Sequence, residues 1–138
     1  MPTDAQFHFS EQDIAAYADL TQDFNPIHSD KAFAATRRLG QPIVFGTMSL
    51  ALVMEVLEQQ LGAQAASGCH IETRFVRPVF VGQSLRVALG GRDAAGMVSF
   101  SVFTGADDIL AMSGQITWPR PKGARGKAAD VANRKDLA

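Results

Sequence analysis

The stretch FGTMSLALVMEVLEQQLG, residues 45–62, decides the fold. Met48, Leu50, Ala51, Leu52, Val53, Met54, Val56 and Leu57 cover nearly the whole circumference of a helix up to Glu58. A helix that is apolar on almost every side belongs inside a domain rather than on its surface. Gly62 supplies its C-terminal stop. Gly46, Thr47, Ser49 and Glu55 interrupt the apolar run, so it falls short of a membrane span.

Downstream, everything reads as strands. Cys69, Ile71, Thr73 and Phe75 alternate with His70, Glu72 and Arg74. RPVFVGQ (77–83) is a break marked by Pro and Gly, and Leu85, Val87 and Leu89 then alternate with Ser84, Arg86 and Ala88. GGRDAAG (90–96) makes a hairpin connection to Val98, Phe100 and Val102, and GADD (105–108) turns the chain into a last strand ending near Trp118.

Upstream, AQFHFS (5–10) alternates as a short first strand, and Ser10 with Asp13 resembles a capping box that starts a helix at Glu11. Ile14, Tyr17, Ala18 and Thr21 share one face of that helix. Pro26 removes a donor and drives Asn25 out of the α region, so the helix stops before it. A second helix is expected from Asp30 or Lys31 to Arg38, ended by Gly40.

These pieces predict an α+β domain in which a curved antiparallel sheet wraps one central helix, the hot-dog fold. Such a sheet leaves an edge strand free, so pairing with a second copy, a homodimer, is expected. The domain is expected over residues 1–119; RPKGARGKAADVANRKDLA (120–138) has almost no large apolar residue and reads as a mobile polar tail. At 138 residues the chain fits one domain, and 46% apolar with 20% charged residues is an ordinary globular balance. A net charge of −1 gives no electrostatic case for nucleic acid. One cysteine, Cys69, precludes an intramolecular disulfide, and no leader segment is visible, so a cytoplasmic protein without membrane insertion is expected.

The chemistry concentrates in TQDFNPIHSDKAF (21–33), where Asp23 and His28 flank an Asn-Pro turn. An acid at such a turn often serves only to shape it. A carboxylate beside an imidazole can also exchange protons, since imidazole side chains change charge near neutrality. His8, His28 and His70 lie on different elements with no metal-ligand spacing, so neither a metal nor another cofactor is expected.

YADLTQDFNPIHSD (17–30) followed by PIVFGTMSLALV (42–53) resembles the MaoC-like, (R)-specific enoyl-CoA hydratase family of hot-dog proteins. The resemblance covers roughly Phe9 to Trp118. It implies that Asp23 and His28 are the catalytic dyad and that the backbone N–H of Gly46 is the oxyanion donor. The implied reaction is reversible hydration of a trans-2-enoyl thioester to an (R)-3-hydroxyacyl thioester. Coenzyme A or acyl carrier protein would enter only as part of the substrate. Asn25, Phe45 and Thr47 are expected beside that substrate. Phe45 departs from the family pattern, which usually has His before the helix glycine, and makes the adjoining pocket more apolar. A helix N-terminus offers free N–H groups and a favourable dipole to a thioester oxygen, which agrees with this reading. The alternatives are a hot-dog thioesterase, with Glu55 as the nearest helix carboxylate, and a non-catalytic acyl-thioester binder or structural subunit.

Overall fold

The computed structural model describes residues 2–119, so the expected tail at 120–138 lies outside the described residues. Strand β1 (Pro2–His8) leads into helix α1 (Glu11–Thr21), a 3-10 turn (Pro26–His28) and helix α2 (Lys31–Ala35). The long helix α3 (Gly46–Leu61) is followed by β2 (His70–Phe75), β3 (Ser84–Leu89), β4 (Val98–Thr104) and β5 (Ile109–Thr117). The strands form one five-stranded sheet in the order β1-β3-β4-β5-β2 with every pairing antiparallel.

The sheet curves around α3 because its inward residues are large and aliphatic. Leu85 and Val87 of β3, Val102 of β4, Ile116 of β5 and Val53, Val56 and Leu57 of α3 are all fully buried. Side chains of that size contribute about 1.5–3 kcal/mol each when taken out of water. The opposite face of the sheet carries Ser99, Ser101, Ser113 and Gln115, which are half-buried or exposed. A bulge closes β2: the N–H groups of Val76 and Arg77 both donate to the carbonyl of Ala111, at 2.8 and 3.1 Å. Two residues facing one bend the strand end toward the helix N-terminus. This is the hot-dog arrangement predicted from the alternating strands and the apolar helix.

Three sequence expectations are refined. α3 is not covered all round: Thr47, Ala51 and Glu55, spaced four apart, form an exposed strip, flanked by half-buried Leu50 and Met54. α2 ends at Ala35 rather than Arg38. There the Thr36 hydroxyl and N–H both donate to the Phe33 carbonyl, and i→i+3 bonds tighten the chain into turns. β1 runs from Pro2 to His8, displaced toward the N-terminus from the expected 5–10.

α1 sets the position of the loop that follows it. Ser10 and Asp13 form the anticipated capping box, with the Ser10 N–H donating to Asp13 at 2.9 Å and the Asp13 N–H donating to the Ser10 hydroxyl at 3.2 Å. At the other end, Gln22 adopts the left-handed conformation (φ 57°), and its amide donates to the Asp19 carbonyl at 2.6 Å. Lys31 at the start of α2 meets Glu11 at 2.8 Å and ties the two helices together across the surface.

The cap gives α1 a pH signature. The hydrogen bonds from the Ser10 backbone and hydroxyl hold the Asp13 carboxyl below its ordinary pKa of about 4. A carboxyl depressed in the folded state contributes stability above its unfolded pKa, and that contribution is lost as pH falls through the folded value. Urea midpoints of wild type and Asp13→Asn should therefore differ at neutral pH, with wild type higher, and converge on acidification. Parallel pH profiles would show that the cap carries no such linkage.

Candidate active site

The segment Ile43–Val44–Phe45 leads directly into α3 and carries most of the site geometry. Its strand-like bridge to Phe80 and the Val44 N–H bond to Val79 O at 2.8 Å fix it against the core. Phe45 is the N-cap of α3, and it offers no side-chain hydrogen bond to the first turn. Ser, Thr, Asp or Asn in that place would cap the helix and stabilise it by about 1 kcal/mol. Among the described residues the N–H groups of Gly46 and Thr47 have no hydrogen-bond acceptor. The helix start is thus left open, with its dipole directed outward.

Gly46 lines an open-mouthed cavity of about 300 Å³ together with Ile43, Phe75, Val79, Val102 and Met112. The Phe75 ring lies against the glycine, since a Cβ there would sit 2.8 Å from Phe75 Cε1. Any side chain at residue 46 would displace that ring and narrow the approach to the open N–H groups. Ser49, one turn further into α3, faces the same cavity. It is only 5% exposed, and its hydroxyl has no protein partner among the described residues. Among the described residues no fully buried side-chain oxygen lacks a partner, so the hydroxyl opens onto the cavity. Sequence reading missed Ser49 because a serine inside a helix carries no signal until its face is known.

His28 closes the 3-10 turn begun by Pro26. The Asn25 side chain caps this turn by accepting from the Ile27 N–H at 3.1 Å. The His28 Nδ1 lies 2.7 Å from the carbonyl oxygen of Ile43. A carbonyl can only accept, so Nδ1 carries the proton in the neutral ring and Nε2 presents a lone pair. His28 lines a wider cleft of about 1050 Å³ with Pro42 and Val81, separate from the Gly46 cavity, and Asp23 lines neither of the two.

Asp23 is exposed on the loop after α1, and its Oδ1 accepts from the Asn25 N–H at 3.1 Å. No ion pair within 4.0 Å joins Asp23 and His28 among the described residues. The carboxylate therefore shapes the turn and retains a second oxygen for other work. Phe45 is buried with its ring against His28, and the Thr47 hydroxyl is bonded to Tyr17, so both side chains are engaged within the protein. Glu55 lies on the exposed strip of α3, nine residues beyond Gly46, and lines neither cavity. That spacing along a helix is roughly 13 Å. Cys69 is half-buried, and desolvation raises its thiol above the ordinary pKa, away from nucleophilic character. No helix of the described residues is long and apolar enough to cross a membrane.

Comparison with known proteins agrees with the hot-dog fold. The chain is 40% identical over 77 residues to the (R)-specific enoyl-CoA hydratase of Aeromonas caviae, covering 56% of this chain and 58% of that protein. It is 32% identical over 78 residues to the 3-hydroxybutyryl-CoA dehydratase of Methylorubrum extorquens, covering 56% of this chain and 50% of that one. The chain thus spans about half the length of the curated relatives it matches. The solved structure of an (R)-hydratase from Aeromonas caviae involved in PHA biosynthesis superimposes with a TM-score of 0.70 at 30% identity, over 86% of this chain and 95% of that one. A family model for the MaoC like domain matches residues 2–106, and the chain belongs to that family.

Proposed function

We propose that the protein reversibly hydrates trans-2-enoyl thioesters to (R)-3-hydroxyacyl thioesters. One observation carries this reading: His28 is hydrogen-bonded to Ile43, three residues before Gly46, so one short segment positions both an imidazole base and an open helix start. The relatives named as enoyl-CoA hydratase and 3-hydroxybutyryl-CoA dehydratase support the reaction class, and the Aeromonas caviae proteins support its stereochemistry. The acyl chain occupies the Gly46 cavity, whose volume lies at the lower end of ligand pockets, roughly 300–1000 Å³.

The steps follow from the groups present. The thioester oxygen accepts the Gly46 N–H, and the helix dipole stabilises the negative charge that grows there. A water held between the free oxygen of Asp23 and Nε2 of His28 gives up a proton to this pair and adds as hydroxide to C3. The proton returns to C2, so one water is added across the double bond with nothing oxidised or reduced. Asn25, Phe45 and Thr47 border the reacting centre and shape its wall. Coenzyme A or an acyl carrier protein brings the substrate as its thioester, and the domain at residues 1–119 works without a further cofactor. The unpaired thiol of Cys69 suits a reducing compartment such as the cytoplasm.

The working unit is a homodimer. β2 is an unpaired sheet edge, and Phe75 and Val76 at its end are 56% and 44% exposed. Antiparallel pairing of β2 with a second copy, centred on Thr73, sets Glu72 opposite the partner's Arg74 and Ile71 opposite the partner's Phe75. The partner then roofs the mouth of the Gly46 cavity and excludes water from the acyl chain.

The chemistry is tested with crotonyl-CoA and a longer trans-2-enoyl-CoA, following loss of ultraviolet absorbance. Asp23→Asn and His28→Ala should each lower kcat by about 10²–10⁴-fold. The double variant should cost little more than the worse single change, because groups that act as one unit are strongly non-additive. A fully active Asp23→Asn protein would reduce Asp23 to a turn residue. Sedimentation tests the assembly separately: Glu72→Arg should weaken the dimer, and adding Arg74→Glu should restore it. An active monomer at assay concentration would refute the pairing.

A further inference from the structure

The His28 imidazole is held by more than its hydrogen bond to Ile43. Its ring lies nearly parallel to that of Phe45, with centroids 3.8 Å apart and planes at 21°. Phe45 in turn packs against Tyr17, with centroids 4.9 Å apart and a tilt of 51°. The Tyr17 hydroxyl is 2.6 Å from the hydroxyl of Thr47, in the first turn of α3. A ladder of three rings therefore runs from α1 to the 3-10 turn, and its outer rung is fastened to the helix start that carries Gly46.

Each rung removes a freedom that the others leave. A single hydrogen bond at Nδ1 fixes the tautomer but lets the ring pivot about the N···O direction. A flat ring stacked on its face removes that pivot. Phe45 can serve as a platform because it is itself buried, 5% exposed, and braced by Tyr17. Tyr17 is half-buried and held at its tip by Thr47, so the brace does not drift with the surface of α1.

We propose that Phe45 and Tyr17 are positioning residues that hold the Nε2 lone pair of His28 in a fixed direction relative to the open N–H groups of α3. Neither side chain reacts. Their effect passes through His28, and the kinetic part of the inference rests on the hydratase reading given above. Phe45 thereby does within the protein what a substrate contact at that position would not: it orients the base before substrate arrives.

The ladder is tested without substrate by two-bond ¹H–¹⁵N correlation spectra of the full chain at alkaline pH, where a ring that keeps one proton shows which nitrogen holds it. Wild type should show His28 in one tautomer, protonated at Nδ1, beside the exposed His8 and His70 as internal controls. In Phe45→Leu the His28 nitrogens should move toward the averaged shifts of a mobile ring. Its kcat should fall by about 10–100-fold, the scale of a misplaced catalytic group, with KM changed less than about threefold. Phe45→His, which restores a planar ring, should recover most of kcat. If Phe45→Leu does not fold, Tyr17→Leu removes the brace instead and should give the same pair of changes at smaller size. A His28 spectrum and kcat unchanged in the folded variant would overturn the proposal, as would wild-type His28 protonated at Nε2. A shifted tautomer in a protein with no hydratase activity would leave the ladder standing and remove the hydratase reading.

Discussion

The burial of α3 against the concave face of the sheet is the constraint on which the rest depends. Val53, Val56 and Leu57 leave no room for the helix to slide or turn, because each is fully buried against inward residues of the strands. Interiors packed to that density respond to a missing methylene group. The helix start is consequently a fixed point, and an open helix start at a fixed point is a usable electrostatic device. The same arrangement on a mobile helix would lose its reorganisation advantage. Core packing and site electrostatics are two descriptions of one contact.

Much of the fold was legible because it obeys short periods. The strands around Val87 and Val102 alternate cleanly, and the helix at 46–61 is apolar over most turns. Elements failed where tertiary or local hydrogen bonding intervened. Thr36 turns its hydroxyl onto Phe33 and ends α2 three residues early, which propensity alone does not register. The exposed strip at Thr47, Ala51 and Glu55 contains an alanine, which reads as apolar in a sequence and says nothing of which side it faces.

The site was legible in part for a different reason. Asp23, Asn25, Pro26 and His28 sit within six residues, so their turn is a local event that the sequence spells out. The Asx turn made by Asp23 and the cap made by Asn25 belong to the same local grammar. The ring ladder is not local. Tyr17 lies 28 residues before Phe45, and only the packing of α1 beside α3 brings them together. Ser49 shows the same limit, because its importance comes from an empty volume that only the assembled strands create.

Gln22 shows what the step into the loop costs in backbone strain. A non-glycine residue at φ 57° carries a backbone cost of about 1–2 kcal/mol, and here it immediately precedes the acid. Glycine would relieve that cost, but it would also widen the range of directions available to the next peptide. The glutamine side chain, fastened to Asp19, restricts that range. The left-handed backbone and the tethered side chain together fix the direction in which the chain leaves α1. The step between α1 and its loop is thus a place where backbone strain is exchanged for a defined direction of the peptide that carries Asp23.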